Sequence, residues 1–234
     1  MEWQSTRKRK GIEAPFPPLE LGYDPEMRSE EFLVVGPERS DRVVVLAHGA
    51  GAAMDSPFMD DFADGLASTG IRVVRFEFPY MQKRRREGKS GAPDRQPVLE
   101  QCWKEVIGAL GDPARLVIGG KSLGGRIASM VADDSGVAGL VCLGYPFHPP
   151  RRPERLRTAH LAGLRTPTLM VQGTRDPFGV PDEIASYDLP PSIRLHYLED
   201  GDHSFRPRKK SGRTLDQNLA EAIEAVAAFV GPGP

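Results

Sequence analysis

The segment Gly119-Gly120-Lys121-Ser122-Leu123-Gly124-Gly125 admits two chemistries. Gly-Lys-Ser ends a phosphate-binding loop, whereas Gly-x-Ser-x-Gly is a turn that presents a serine nucleophile. The phosphate loop needs Gly-x-x-x-x-Gly-Lys-[Ser/Thr], which would put its first glycine at the position of Arg115. Three of the four intervening residues are Leu116, Val117 and Ile118, an apolar run that reads as a strand. A strand core cannot turn its amides inward around a phosphate. The nucleophile turn needs a strand, a sharp bend and a helix. All three are written here: the run ending at Ile118, Gly120 to Gly124, and an apolar stretch of helical spacing. The glycines two residues either side of Ser122 spare the bend a Cβ clash with neighbouring elements.

A serine hydroxyl attacks only when a base removes its proton, and that base must itself be oriented. Asp176, in "VQGTRDPFG", and His203, in "LEDGDHSF", each follow a short apolar run. The order Ser122, Asp176, His203 is that of a strand–turn–helix nucleophile with its acid and base. All three fall beyond the carboxyl ends of expected strands, the rim where open α/β sheets assemble their sites. Ser122 is therefore read as nucleophile, His203 as base and Asp176 as the acid that holds the imidazole. Asp200 and Asp202 are rival acids, but residues so close to His203 suit turns better. Upstream, "LAHGAGAAM" contains a His-Gly-x-Gly loop. Such a loop donates one amide to an oxyanion hole, here Ala50 with Gly51 as the alternative, and Leu123 donates the second.

Other residues have competing readings. Gly51, Tyr80, Met81, Phe147 and Phe178 lie beyond strands and are candidates to line an acyl pocket, with core packing the alternative for the side chains. His48 is expected to brace the oxyanion loop, and His148 to support the structure or edge the pocket. His160 and His196 read as surface or sheet-face residues. Lys121 either attracts an anionic group to the nucleophile or points away from it. The runs Lys83 to Arg86 and Arg151, Arg152, Arg155 and Arg157 read as solvated faces, with anion binding as a second reading. No His, Cys, Asp or Glu set has metal-ligand spacing, so no metal is expected, and a serine nucleophile with its own base needs no cofactor.

To position such a site the chain needs strands alternating with helices. Short apolar runs at residues 32–35, 42–47, 71–76, 115–118, 137–143, 168–171 and 193–198 read as strands. The continuous run "RVVVLA" suits a strand covered on both faces. Helices are expected from Ser56-Pro57, over 98–110 with Val98, Cys102, Val106 and Leu110 on one face, over 123–131, and over 215–230. Residues 79–97 read as a basic, glycine-containing loop. This alternation predicts an α/β fold with a mostly parallel sheet. Residues 1–25, polar and proline-rich, read as an N-terminal arm, and residues 26–234 as one domain.

Composition fits a soluble globular protein: 39% apolar and 27% charged residues. A net charge of −1 gives no overall pull toward nucleic acid or anionic membrane, and the basic runs carry no interleaved stacking aromatics. No apolar run reaches membrane-spanning length, and the basic start "MEWQSTRKRK" has no apolar run behind it as a secretory signal would. Two cysteines fall short of a disulfide framework. A cytoplasmic location is expected.

Five blocks, "LAHGAGAAMDSPFM", "FEFPYM", "GGKSLGGRIASM", "LGYPFHPP" and "TPTLMVQGTRDPFG", together resemble the α/β-hydrolase group that contains testis-expressed protein 30. That group is related to the hydrolase-like region of an NSL histone acetyltransferase complex subunit and lies near the dienelactone hydrolases. The resemblance runs from about Arg42 to the C-terminal helix. It implies an α/β-hydrolase fold, a mostly parallel central sheet flanked by helices with a minimal lid, and places Ser122, Asp176 and His203 at the apparent triad positions. The expected function is cleavage of a carboxylic ester or related small acyl substrate through an acyl-enzyme. The alternative, motivated by relatives that act in complexes, is a protein-interaction module keeping the hydrolase shell.

Overall fold

The computed structural model describes residues 32–88 and 91–231. The expected arm at residues 1–25 lies outside the described residues. Seven strands form one sheet in the order β1-β3-β2-β4-β5-β6-β7. They are β1 (Phe32–Val35), β2 (Val43–Ala47), β3 (Arg72–Phe76), β4 (Leu116–Lys121), β5 (Gly139–Leu143), β6 (Thr168–Gly173) and β7 (Ile193–Leu198). β1 pairs antiparallel with β3 at one edge, and every other pairing is parallel.

Strand alternation sorts the core into two layers. Val45, Ala47, Val74, Phe76, Ile118, Leu140, Cys142 and Met170 face one side, where α3 (Gln96–Leu110) and α4 (Leu123–Ser135) pack. Val44, Leu46, Val73, Val117, Val141, Leu143 and Val171 face the other, where α1 (Pro57–Ser68) and α6 (Leu215–Val230) pack. Burial on both faces is why these strands read as unbroken apolar runs rather than alternating ones.

Three sequence expectations need correction. Residues 79–97 are not one loop: α2 (Pro79–Glu87) occupies the first half, and α3 already begins at Gln96. α2 starts with proline in its first turn, buries Tyr80 and Met81, carries Arg84, Arg85 and Arg86 in its last turn, and stops at the left-handed Gly88. Those are helix start and stop signals that the density of charge obscured. The buried stripe of α3 is Leu99, Trp103, Val106 and Ile107, while Val98 is 42% exposed. Two overlapping stripes satisfy helical spacing, and the one holding Trp103, packed edge-on to Phe76 at 4.7 Å, goes inward. A short helix, α5 (Pro181–Ile184), was not foreseen. The β5–β6 connection carries a single 3₁₀ turn at Leu161–Gly163, so among the described residues this connection builds no large lid.

Candidate active site

β4 runs two residues further than its apolar core, through Gly119 and Gly120 to Lys121, and delivers Ser122 at the carboxyl rim. Ser122 has φ +50° and ψ −107°, a strained conformation for a residue with a side chain. Its amide donates to the Leu143 carbonyl (3.0 Å), and its own carbonyl accepts from Arg126 within α4. Such a bend survives only if β2 can lie against it. A Cβ on Gly120 or on Gly124 would strike the Ala47 carbonyl oxygen.

The rim collects the other two expected groups from β6 and β7. His203 Nε2 lies 2.9 Å from Ser122 Oγ. His203 Nδ1 lies 2.7 Å from Asp176 Oδ2. Asp176 is fully buried, and its second oxygen accepts from the Phe178 amide (2.9 Å). Burial pulls the His203 pKa below the ordinary 6.5; the hydrogen bond to Asp176 opposes that shift, and the nearby Lys121 charge adds to it. The two rival acids stand aside. Asp200 is engaged by Arg208 and Arg175, and Asp202 caps its own turn by accepting from the Ser204 and Arg206 amides.

The loop after β2 crosses the bend from the other side. Leu123 opens α4, so its amide has no partner within the helix. A Cβ on Gly49 would sit 3.9 Å from the Ser122 Cβ, which puts the stretch leading to Ala50 and Gly51 beside the hydroxyl. His48 braces this loop as expected. Its Nδ1 donates to the Gly49 carbonyl (2.7 Å), and its Nε2 accepts from the Phe78 amide (3.1 Å). That pairing fixes the tautomer, and burial keeps the ring's pKa low. Tyr80 donates to the Ala50 carbonyl (3.1 Å), so it supports the loop from behind.

The remaining candidates are spread more widely. Phe178 stacks obliquely on the His203 ring, with centroids 4.2 Å apart. Met81 is buried and, with Gly51, Ala53, Arg84, Arg85 and Gly88, lines a cleft of about 360 Å³ beside the loop after β2. Phe147 belongs to the core, wedged between Tyr145, Tyr187 and Gly179. His148 is buried and bonds Pro149 and Glu183. Arg85 ties Glu77 to Asp55, so one member of the basic run holds the exit of the loop after β2.

One neighbour of the candidate site is not evident from the sequence. Gln172, buried at the end of β6, donates to Asp176 Oδ2 (3.0 Å) and accepts from the Tyr145 amide (2.8 Å). Its only signal was a polar residue inside an apolar strand four positions before the acid.

The sequence profile of the alpha/beta hydrolase domain matches residues 40–231. The chain belongs to that family. Solved structures of the α/β-hydrolase fold superpose over most of its length. A lid-less α/β serine hydrolase from Xanthomonas campestris is 20% identical, with a TM-score of 0.64 over 87% of this chain and 90% of its own. An α/β serine hydrolase homologue from Coxiella burnetii is 20% identical, with a TM-score of 0.63 over 84% and 91%. A dienelactone hydrolase from Anabaena variabilis is 23% identical, with a TM-score of 0.61 over 82% and 88%. These likenesses show the α/β-hydrolase fold. Among the described residues no helix is long and apolar enough to cross a membrane.

Proposed function

We propose that this α/β-hydrolase is a serine hydrolase that cleaves a carboxylic ester or related small acyl substrate through Ser122, His203 and Asp176. The observation that carries the reading is the unbroken row from Ser122 Oγ to His203 Nε2 (2.9 Å) and from His203 Nδ1 to Asp176 Oδ2 (2.7 Å). With Nδ1–H donated to the buried carboxylate, Nε2 is the free base facing the hydroxyl. His203 takes the seryl proton as Oγ attacks the substrate carbonyl carbon. The resulting oxyanion is held by the amides of Leu123 and Ala50. His203 then passes the proton to the leaving alcohol, and the acyl-enzyme remains. A water molecule, deprotonated by His203, releases the acid and restores the serine.

The substrate is read from the sequence as a small acyl compound. Its acyl group is assigned to the space around Gly51, Met81 and Phe178, with Tyr80 as a support and Phe147 as core. The five sequence blocks favour the testis-expressed protein 30 group within the family. Two cysteines, short of a disulfide framework, favour a cytoplasmic location, and the triad chemistry calls for no cofactor.

Labelling with a fluorophosphonate probe tests the reading directly. The wild-type protein is expected to label, and Ser122→Ala is expected to lose both labelling and at least roughly 10³-fold of short-chain aryl ester turnover. A folded wild-type protein that stays unlabelled would refute it and favour an interaction module. A panel of esters, thioesters and lactones then fixes the acyl class.

A further inference from the structure

Lys121 precedes Ser122, and strand alternation sends its side chain to the face that carries α1 and α6. There it is 9% exposed. The ammonium donates to the backbone carbonyl of His203 (2.6 Å) and lies over the rings of Phe58 and Phe205, 5.5 and 5.9 Å from their centroids. Gly144, at φ +67°, makes room for it: a Cβ there would lie 3.0 Å from Nζ and 3.3 Å from His203 Nδ1.

The rest of the His203 loop is held elsewhere. Thr174, Arg175 and Arg208 hold Asp200, and Asn218 donates to the Glu199 and Phe205 carbonyls. The Lys121 bond is the one that grips the backbone of His203 from the nucleophile strand. Among the described residues no carboxylate comes within ion-pair distance of this ammonium; the acidic groups that act on it from further away are Asp176 and Asp202. Burying an ammonium without a contacting carboxylate costs stability, and a methionine would fill the slot between the two phenylalanines. The fold alone does not account for a cation here.

We propose that Lys121 is a positioning residue of the triad: its bond fixes the His203 backbone against the nucleophile strand, and its charge, added to burial, disfavours the imidazolium beside the buried Asp176. The reasoning rests on the hydrolase reading above. The groups facing His203 are Ser122, Asp176, Phe178 and Lys121, with Asp202 acting at longer range. Asp176 favours the imidazolium and Lys121 opposes it. Burial pushes the Lys121 pKa down to about 8, so below that pH it carries its charge.

The test is the titration of the His203 imidazole by NMR in a Ser122→Ala background, which needs no turnover. Adding Lys121→Met is expected to move that titration upward by about half a unit or more. In the enzyme with Ser122 intact, Lys121→Met is expected to move the acid limb of kcat/KM upward with it and to lower kcat about tenfold, with KM within about twofold. Lys121→Arg is expected to restore the acid limb. A folded Lys121→Met protein with an unmoved His203 titration would overturn the proposal. Should methionine prevent folding, Lys121→Gln keeps a donor without the charge; an upward shift in it supports the proposal, and no shift overturns it. A wild-type protein that fails to label would sink the hydrolase reading while the NMR titration still reports on Lys121.

Discussion

Gln172 Nε2 donates to Asp176 Oδ2 at 3.0 Å, and the same carboxylate oxygen takes the Nδ1–H of His203 at 2.7 Å. One oxygen thus serves two donors, and the amide that shares it is itself fixed, because Gln172 also donates to the Tyr145 and Gly179 carbonyls and accepts from the Tyr145 amide. The carboxylate has no freedom to turn from the imidazole.

Gln172→Leu keeps the volume and removes the donor. A hydrogen bond to a charged group is worth about 1.5–3 kcal/mol, so kcat/KM is expected to fall roughly ten- to a hundredfold. Stability should fall as well, since the Tyr145 amide is left buried without its acceptor. Steady-state kinetics with a small aryl ester checks the first point and thermal melting the second. Full activity in a folded variant would remove Gln172 from the site.

The His203 pKa lies below 6.5, with burial as the largest cause. The imidazole must be neutral to accept the seryl proton. Activity is therefore expected to rise with pH through a group that titrates below the ordinary histidine value and to be level by neutrality. A pH profile of kcat/KM measures this. An acid limb centred above pH 6.5 would show that the Asp176 hydrogen bond outweighs burial.

Gly124→Ala places a methyl group against the backbone carbonyl of Ala47, which has no side-chain freedom to yield. Overpacking of this kind costs about 1–3 kcal/mol. Gly163→Ala meets nothing within 4 Å and serves as the control. Urea denaturation should separate the two, with Gly124→Ala destabilised and Gly163→Ala near the wild type. Equal midpoints would mean that β2 and the turn can part without cost.

Hydrogen bonds from Arg208 hold the Asp200 carboxyl at about 2, below its ordinary 3.8. A depressed acid contributes stability that is present above the unfolded pKa and is lost as pH falls through the folded one. The wild type should therefore melt above Asp200→Asn at neutral pH, and the gap should close between about pH 4 and pH 2. Melting curves across that range test it; a gap that persists at pH 2 would assign the effect to packing.

Much of this site was legible in the chain. Ser122 announced itself because a strand, paired glycines and a helix are local requirements of one bend, and local requirements are met by neighbouring residues. Asp176 and His203 were legible by order and by their places after apolar runs. α2 was hidden because its apolar face is only Tyr80 and Met81, and four consecutive basic residues masked its start and stop. The α3 stripe was ambiguous because periodicity fixes spacing and not phase; Phe76, distant in sequence, decided that Trp103 goes inward.

The sequence by itself determined the strand–helix alternation, the turn at Ser122 and which hydroxyl, imidazole and carboxylate are candidates for the site. These follow from backbone sterics and side-chain chemistry within short windows. Only the tertiary structure decided that Gln172 grips Asp176, that Phe147 is core, and that Lys121 reaches past its own strand to the His203 carbonyl. Those contacts join residues far apart along the chain, and their partners are set by how the sheet stacks its strands.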